Sequence, residues 1–276
     1  METGPLNDFF EHRMPRFDKL EFEGSAASGA DPEPPPIVQR QDIDWIRRAD
    51  QDRRRGFYEN ALKYYSRALE IDKSRVSGWL GQVQMLVLLQ ELPEAELWAR
   101  KALELFPAHG DLLAGRAQAL CRMGDRRRAH EACDGAMKQS GLSAYRWIVR
   151  GELMLASRQA TDQHCFDKAW QLDRDWLVPL EIALVGLHYG NPSRALPRAR
   201  QACESAPDQP LPWLVLARCQ TAMGLAAPAR ESLQHCLDLC PGHAEARQQL
   251  VELQQPSLSL LARWLRGLIP RWRGSA

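Results

Sequence analysis

Net charge, long apolar runs and catalytic signatures are what this sequence has little of. Lys and Arg total 36 against 35 Asp and Glu, a formal net charge of +1. A surface that gathers nucleic acid by bulk electrostatics needs a marked cationic excess, so that class is disfavoured. No stretch approaches the 18 or more apolar residues of a membrane span, and no basic start leads into an apolar run, so neither a span nor a secretory leader is expected. Seven cysteines scattered over 276 residues do not make a disulfide framework in a chain of this length, which points to a reducing cytoplasm. There is no phosphate-cradling glycine loop and no metal-hydrolase motif. His130, His164 and His188 have no Ser or Cys around them at a spacing that identifies a triad. No catalytic residue and no cofactor is assigned. Arginine outnumbers lysine 30 to 6, read as the codon bias of a GC-rich bacterial genome.

What the chain has is a period. Trp45, Trp79, Leu113 and Trp147 stand 34 residues apart, and Ala68, Ala102 and Ala136 share that step. Blocks beginning near Asp42, Val76, Gly110, Ala144, Trp176 and Pro210 align the rest. The eighth position of each block is small or slim (Ala49, Val83, Ala117, Gly151, Ala183, Ala217), and the twentieth is Ala61, Ala95, Ala129, Ala195 and Ala229. The twenty-seventh is Ala68, Ala102, Ala136, Ala202 and Cys236. Spacings of three and four place these on one stripe of each of two successive helices. Bulky side chains at the fourth position then fill gaps left by small ones, and the next block packs on the twenty-seventh. Gly56, Gly124, Gly190 and Gly224 sit where the first helix must stop, and Pro107, Pro207 and Pro241 break the chain between blocks.

This grammar resembles the tetratricopeptide repeat (TPR) family over residues 42–243. The resemblance implies an all-α, right-handed α-solenoid of about six helix-turn-helix repeats, closed by a capping helix. The pattern is least regular between Ser157 and Gly190, where Asp162 or Gln163 falls at the alanine position and two successive steps shorten to 33. In this family the first helices line a concave face. The corresponding inward positions carry Leu80, Gln84, Val87, Gln118, Tyr145, Ile148, Glu152, Leu155, Leu180, Leu184, Leu214 and Arg218, an apolar strip with isolated polar points. Such a strip suits an amphipathic helix or an extended apolar peptide. The carboxylate clamp of chaperone-tail receptors in this family is absent, because Asp50, Gly81, Asp111 and Gly115 stand where cations and amides would be needed.

The two ends differ from the middle. Residues 1–41 carry eight acids and four bases, a net of 4 − 8 = −4. An aromatic stretch with Phe9, Phe10, Phe17 and Phe22 precedes a Pro-rich segment that is expected to be a disordered linker. Residues 244–276 are expected to hold the capping helix and then a basic amphipathic helix. In the latter Leu261, Trp264, Leu265, Leu268 and Trp272 share a face, suited to an anionic membrane or simply to further capping. Two arginine runs, 53–55 and 126–128, are read as solvated turns or as a basic rim for an acidic partner. The His235–His243 segment, with Cys236 and Cys240, is read as core and turn rather than as a zinc site, because Cys236 falls at a small core position.

The reading is a noncatalytic cytoplasmic adaptor or assembly factor that grips a peptide or helix of another protein, without nucleic acid or metal. Two alternatives stand beside it. One is a tether on the inner face of a membrane through the C-terminal helix. The other is an enzyme accessory subunit acting through the N-terminal arm.

Overall fold

The computed structural model describes residues 44–254. Thirteen α-helices occupy this span: α1 (Trp45–Arg55), α2 (Tyr58–Ile71), α3 (Val76–Leu88), α4 (Leu92–Leu105), α5 (Gly110–Met123), α6 (Arg126–Lys138), α7 (Ala144–Ala156), α8 (Asp162–Leu172), α9 (Leu177–His188), α10 (Pro192–Ser205), α11 (Pro210–Ala222), α12 (Ala226–Leu239) and α13 (Ala244–Gln254). Each odd-numbered helix up to α11 pairs with the even-numbered helix after it, and successive pairs stack, with odd helices also touching one another. This is a helical-repeat solenoid. The aromatic arm and Pro-rich segment before Asp44 and the basic segment after Gln254 lie outside the described residues.

The small positions carry the stacking. Ala49, Val83, Ala117, Ala183 and Ala217 are fully buried on the odd helices, and Ala61, Ala95, Ala129, Ala195 and Ala229 on the even ones. At the twenty-seventh position Ala102, Ala136, Ala169, Ala202 and Cys236 are completely enclosed. A methyl at these points lets backbones approach closely, and any larger group would hold them apart. Trp79 and Trp213 keep their indoles against the stack by donating Nε1–H to the carbonyls of Lys73 (2.8 Å) and Pro207 (2.9 Å) in the preceding turns. Helix α13 seats Ala246, Leu250 and Leu253 on the last pair, so the apolar end of α11–α12 is covered.

The third repeat has Gly141 where the second, fifth and sixth have proline, and it closes differently. Arg146, almost fully buried, donates to the carbonyls of Ala136 (3.3 Å), Gln139 (3.0 Å) and Ser140 (3.2 Å) at the end of α6. Its Nε donates to Asp111 Oδ1 at 2.7 Å. One guanidinium thus supplements the Gln139 N–H, which also donates to the Ala136 carbonyl, in satisfying the carbonyls at this helix end. Gly110 is required beside it, because a β-carbon there would fall inside that guanidinium.

The irregular fourth repeat resolves into two single-residue losses. In all six repeats the residue at the fifteenth position has a left-handed backbone: Gly56, Gln90, Gly124, Arg158, Gly190 and Gly224. From there to the buried alanine takes five steps in every repeat but the fourth, where Arg158 reaches its equivalent, Asp162, in four. Helix α8 consequently starts at Asp162, whereas the other even helices begin three residues before their alanine. The second loss falls between Ala169 and Ala183, in the connection to α9.

Replacing Gly110 by Ala separates two effects of opposite sign. Helix propensity alone would stabilise by up to about 1 kcal/mol. Overpacking against the pinned guanidinium is expected to dominate, with a net loss of about 1–3 kcal/mol in a urea titration. An unchanged or raised midpoint would mean that Arg146 is not pinned.

Candidate functional site

The inward faces of the odd helices were the expected binding surface, and their surroundings differ from an open trough. Gln84, Val87, Gln118, Ile148, Glu152, Leu180 and Leu214 are buried, and Leu80, Tyr145, Leu155, Leu184 and Arg218 are half-buried. None of the twelve is exposed. Gln84, Gln118, Tyr145, Ile148 and Leu184 do converge, but around a space of about 20 Å³, room for a single water. Leu180 and Leu214 belong to the core of the C-terminal repeats. Leu155 instead lines an open cleft with Ala156 and Tyr189.

The cause is curvature. The array curls until its first repeat meets its fifth and sixth, with α1 against α11. Arg53 pairs with Glu181 of α9, and Arg54 pairs with Asp175 in the connection that leads into it. The Arg54 guanidinium also lies over the Trp176 ring, 5.2 Å from its centroid. Phe57 meets His243 with ring centroids 5.4 Å apart, and Tyr58 packs on the C-terminal core. A β-carbon at Gly56 would stand 2.8 Å from Leu211 Cδ1, so glycine allows this approach as well as the left-handed turn. The basic run 53–55 is therefore not a free rim: two of its three side chains hold the ends of the array together.

Magnitudes indicate what does the holding. A half-exposed pair such as Arg54–Asp175 contributes at most about 1 kcal/mol, and desolvation offsets much of the more buried Arg53–Glu181 attraction. Burying an aromatic side chain contributes about 1.5–3 kcal/mol. Phe57 and Tyr58, each half-buried, thus contribute at least comparably to the ion pairs, which fix the register of the closure.

Inside, several polar groups pair with one another, although the fully buried Gln82 amide has no hydrogen-bond partner among the described residues. Glu152, fully buried, accepts from Arg122 Nε and from Gln118 Nε2, each at 2.7 Å. Gln118 Oε1 accepts from Tyr145 OH at 2.8 Å. Tyr65 donates to Asp50, and Arg218 pairs with Glu245 of α13. Burial, aided by the carboxylates of Glu181 and Glu152, pushes the Tyr145 hydroxyl well above the usual tyrosine range. It remains a neutral donor. Burial likewise raises Cys121 and Cys133 to about 11, and Cys203, Cys219 and Cys236 to about 12. These thiols stay protonated at neutral pH and are poor nucleophiles.

The His235–His243 segment is explained by packing. His235 stacks on Trp213 with centroids 4.1 Å apart. Cys236 fills the small position, and His243 Nδ1 accepts the Ala246 amide at the start of α13, at 3.4 Å. Among the described residues no cluster of three or more His, Cys, Asp or Glu is placed to hold a metal ion, and no helix is long and apolar enough to cross a membrane.

A second feature was barely signalled by the amino-acid pattern. Three intra-repeat turns border an open cleft of about 770 Å³, lined by residues that include Arg126, Arg158, Asp162, Asn191 and Arg194. The missing first turn of α8 leaves that space. The shortened step at Arg158 was the only signal, and it marked irregularity rather than a surface.

Stacked pairs of antiparallel helices with small residues at the packing positions define a tetratricopeptide-type repeat solenoid, and this chain has that fold. Its similarity to yeast Tom70 has a TM-score of 0.51 at 17% identity, covering 72% of this chain and 43% of that one. A tetratricopeptide repeat protein from Parabacteroides merdae gives 0.49 at 15% identity, over 76% and 83% of the two chains. The tetratricopeptide protein YrrB gives 0.38 at 17% identity, over 67% and 96%. No family model matches the chain. No curated protein matches it either.

Two predictions follow from the closed geometry. Leu180→Glu is expected to unfold the C-terminal repeats rather than leave a folded protein with an altered groove, since losing the leucine alone costs about 2–5 kcal/mol. Retained helicity with an unchanged melting temperature would show that Leu180 is accessible. The second concerns His243, whose pKa burial holds below the ordinary histidine value. A depressed folded-state pKa gives stability that is present above about pH 6.5 and lost as pH falls through the folded value. His188 is shifted the same way. Between pH 7.5 and 5.5 the melting temperature should drop more in the wild type than in His243→Asn, which keeps the helix cap; equal slopes would remove His243 from the closure.

Proposed function

We propose that this protein is a noncatalytic interaction scaffold that works as a closed ring of repeats and presents its outer edges, rather than its centre, to a partner polypeptide. One observation carries this reading. Val87, Ile148, Leu180 and Leu214 of the inward face are buried within the array itself, whose ends are held by Phe57, Tyr58 and the Arg53–Glu181 pair, while Leu184 and Arg218 border a concavity of about 330 Å³. A guest peptide in the trough would have to displace these contacts, which adds an opening cost to the ordinary cost of association. A rigid closed array avoids that cost, because its edge residues are already in place. The protonated thiols and the internally paired Glu152 and Glu181 are consistent with a structural rather than a catalytic interior.

Bridging Arg54→Cys to Asp175→Cys with a short bifunctional reagent distinguishes the edge from the trough. In affinity purification followed by mass spectrometry, the locked ring is expected to retain the partners of the wild type. Partners lost on locking and regained on release would instead place the guest inside, against Leu80, Tyr145, Ile148 and Leu184.

A further inference from the structure

Among the described residues, the cleft beside α8 is a large open concavity whose construction departs from the repeat pattern. Five even helices begin with a full turn before their buried alanine, and α8 does not. Residues 159–161 therefore leave a gap between the first turns of α6 and α10. Three arginines from three successive repeats reach it: Arg126 at the start of α6, Arg158 in the α7–α8 turn and Arg194 in the first turn of α10. Only one carboxylate opposes them. Asp162, almost fully buried where the other repeats carry alanine, lies 2.7 Å from Arg194 Nη2. Arg126 and Arg158 have no acidic partner among the described residues, although the neighbouring Arg127 and Arg128 pair with Glu131 (3.1 Å) and Asp125 (2.6 Å). Arg158 also occupies the left-handed turn position, φ +56°, that glycine fills in four of the other five repeats. That conformation is unfavourable for a side chain of this size, and glycine would relieve it.

We propose that this cleft binds an acidic peptide segment of a partner protein, its carboxylates set against Arg126, Arg158 and Arg194 and its backbone against the amides of Asn191 and Gln159. The volume lies within the range of ligand sites, but the lining is polar and open, which favours a solvated charged chain over a small apolar ligand. Arginine is the cation suited to this task, since its planar fork meets carboxylates two bonds at a time. Leu155 and Ala156 supply the apolar floor. The inference rests on the scaffold reading above and names the partner's chemistry.

The test uses the full chain and a fluorescein-labelled hexaglutamate peptide, with hexalysine as control, followed by fluorescence polarisation. Hexaglutamate is expected to bind at low ionic strength and to weaken as salt screens the pairs. Arg126→Glu with Arg158→Glu should lower affinity by about tenfold or more. Arg100→Glu with Arg230→Glu changes net charge by the same amount at exposed sites elsewhere and should leave binding nearly intact. Both double variants replace exposed residues, and an unchanged melting temperature checks that each is folded. No binding by the wild type, or equal loss in the two variants, overturns the proposal. Partners that still copurify with Arg126→Glu/Arg158→Glu overturn the cleft alone and leave the scaffold intact.

Discussion

The close approach of helices at the small positions is the constraint on which the rest of this structure depends. Ala102, Ala136, Ala169, Ala202 and Cys236 leave no room for anything beyond a methyl or a thiol. Helix pairs stacked at that spacing accumulate curvature, and six of them bring α1 round to α11. Closure then follows from what meets there: Gly56 admits Leu211, Phe57 meets His243, and Arg53 reaches Glu181. A chain with the same helices but looser packing would present an open trough.

The two departures from the 34-residue period each produce a feature that a perfect repeat would not have. Losing one residue between Arg158 and Asp162 removes the first turn of α8 and leaves a cationic cleft. Losing one between Ala169 and Ala183 shortens the connection into α9, and that connection carries Asp175 and Trp176, which engage Arg54. The buried aspartate at the alanine position ties the first departure to its surroundings through Arg194. Within a repeat fold, irregularity is where individuality is placed, because the regular positions are committed to stacking.

Much of the fold was legible in the sequence. Helices α3, α5, α7 and α11 start at Val76, Gly110, Ala144 and Pro210, the block boundaries read from the period alone. Local spacing determines such boundaries, so a single chain suffices to find them. The fate of the inward face was not legible. Leu180 and Leu214 have the same spacing whether a trough is open or filled, and the difference comes from Arg53 meeting a residue 128 positions away. Curvature summed over six repeats decides that, and no local pattern reports it. The arginine runs misled for the same reason: 53–55 looks like a solvated turn until α9 arrives beside it. Within the second run, the pairs made by Arg127 and Arg128 follow from helical spacing, whereas the position of Arg126 on a cleft does not.

Distance measurement across the closure tests the central claim most directly. Spin labels at Gln51 on α1 and at Arg174 before α9 occupy exposed positions on the two sides of the junction. With Cys240 replaced, the remaining native cysteines are buried. Pulsed electron resonance should give one narrow, short distance distribution in the free protein. A long or broad distribution would mean that the ring stands open in solution and that the inward leucines are free to receive a guest.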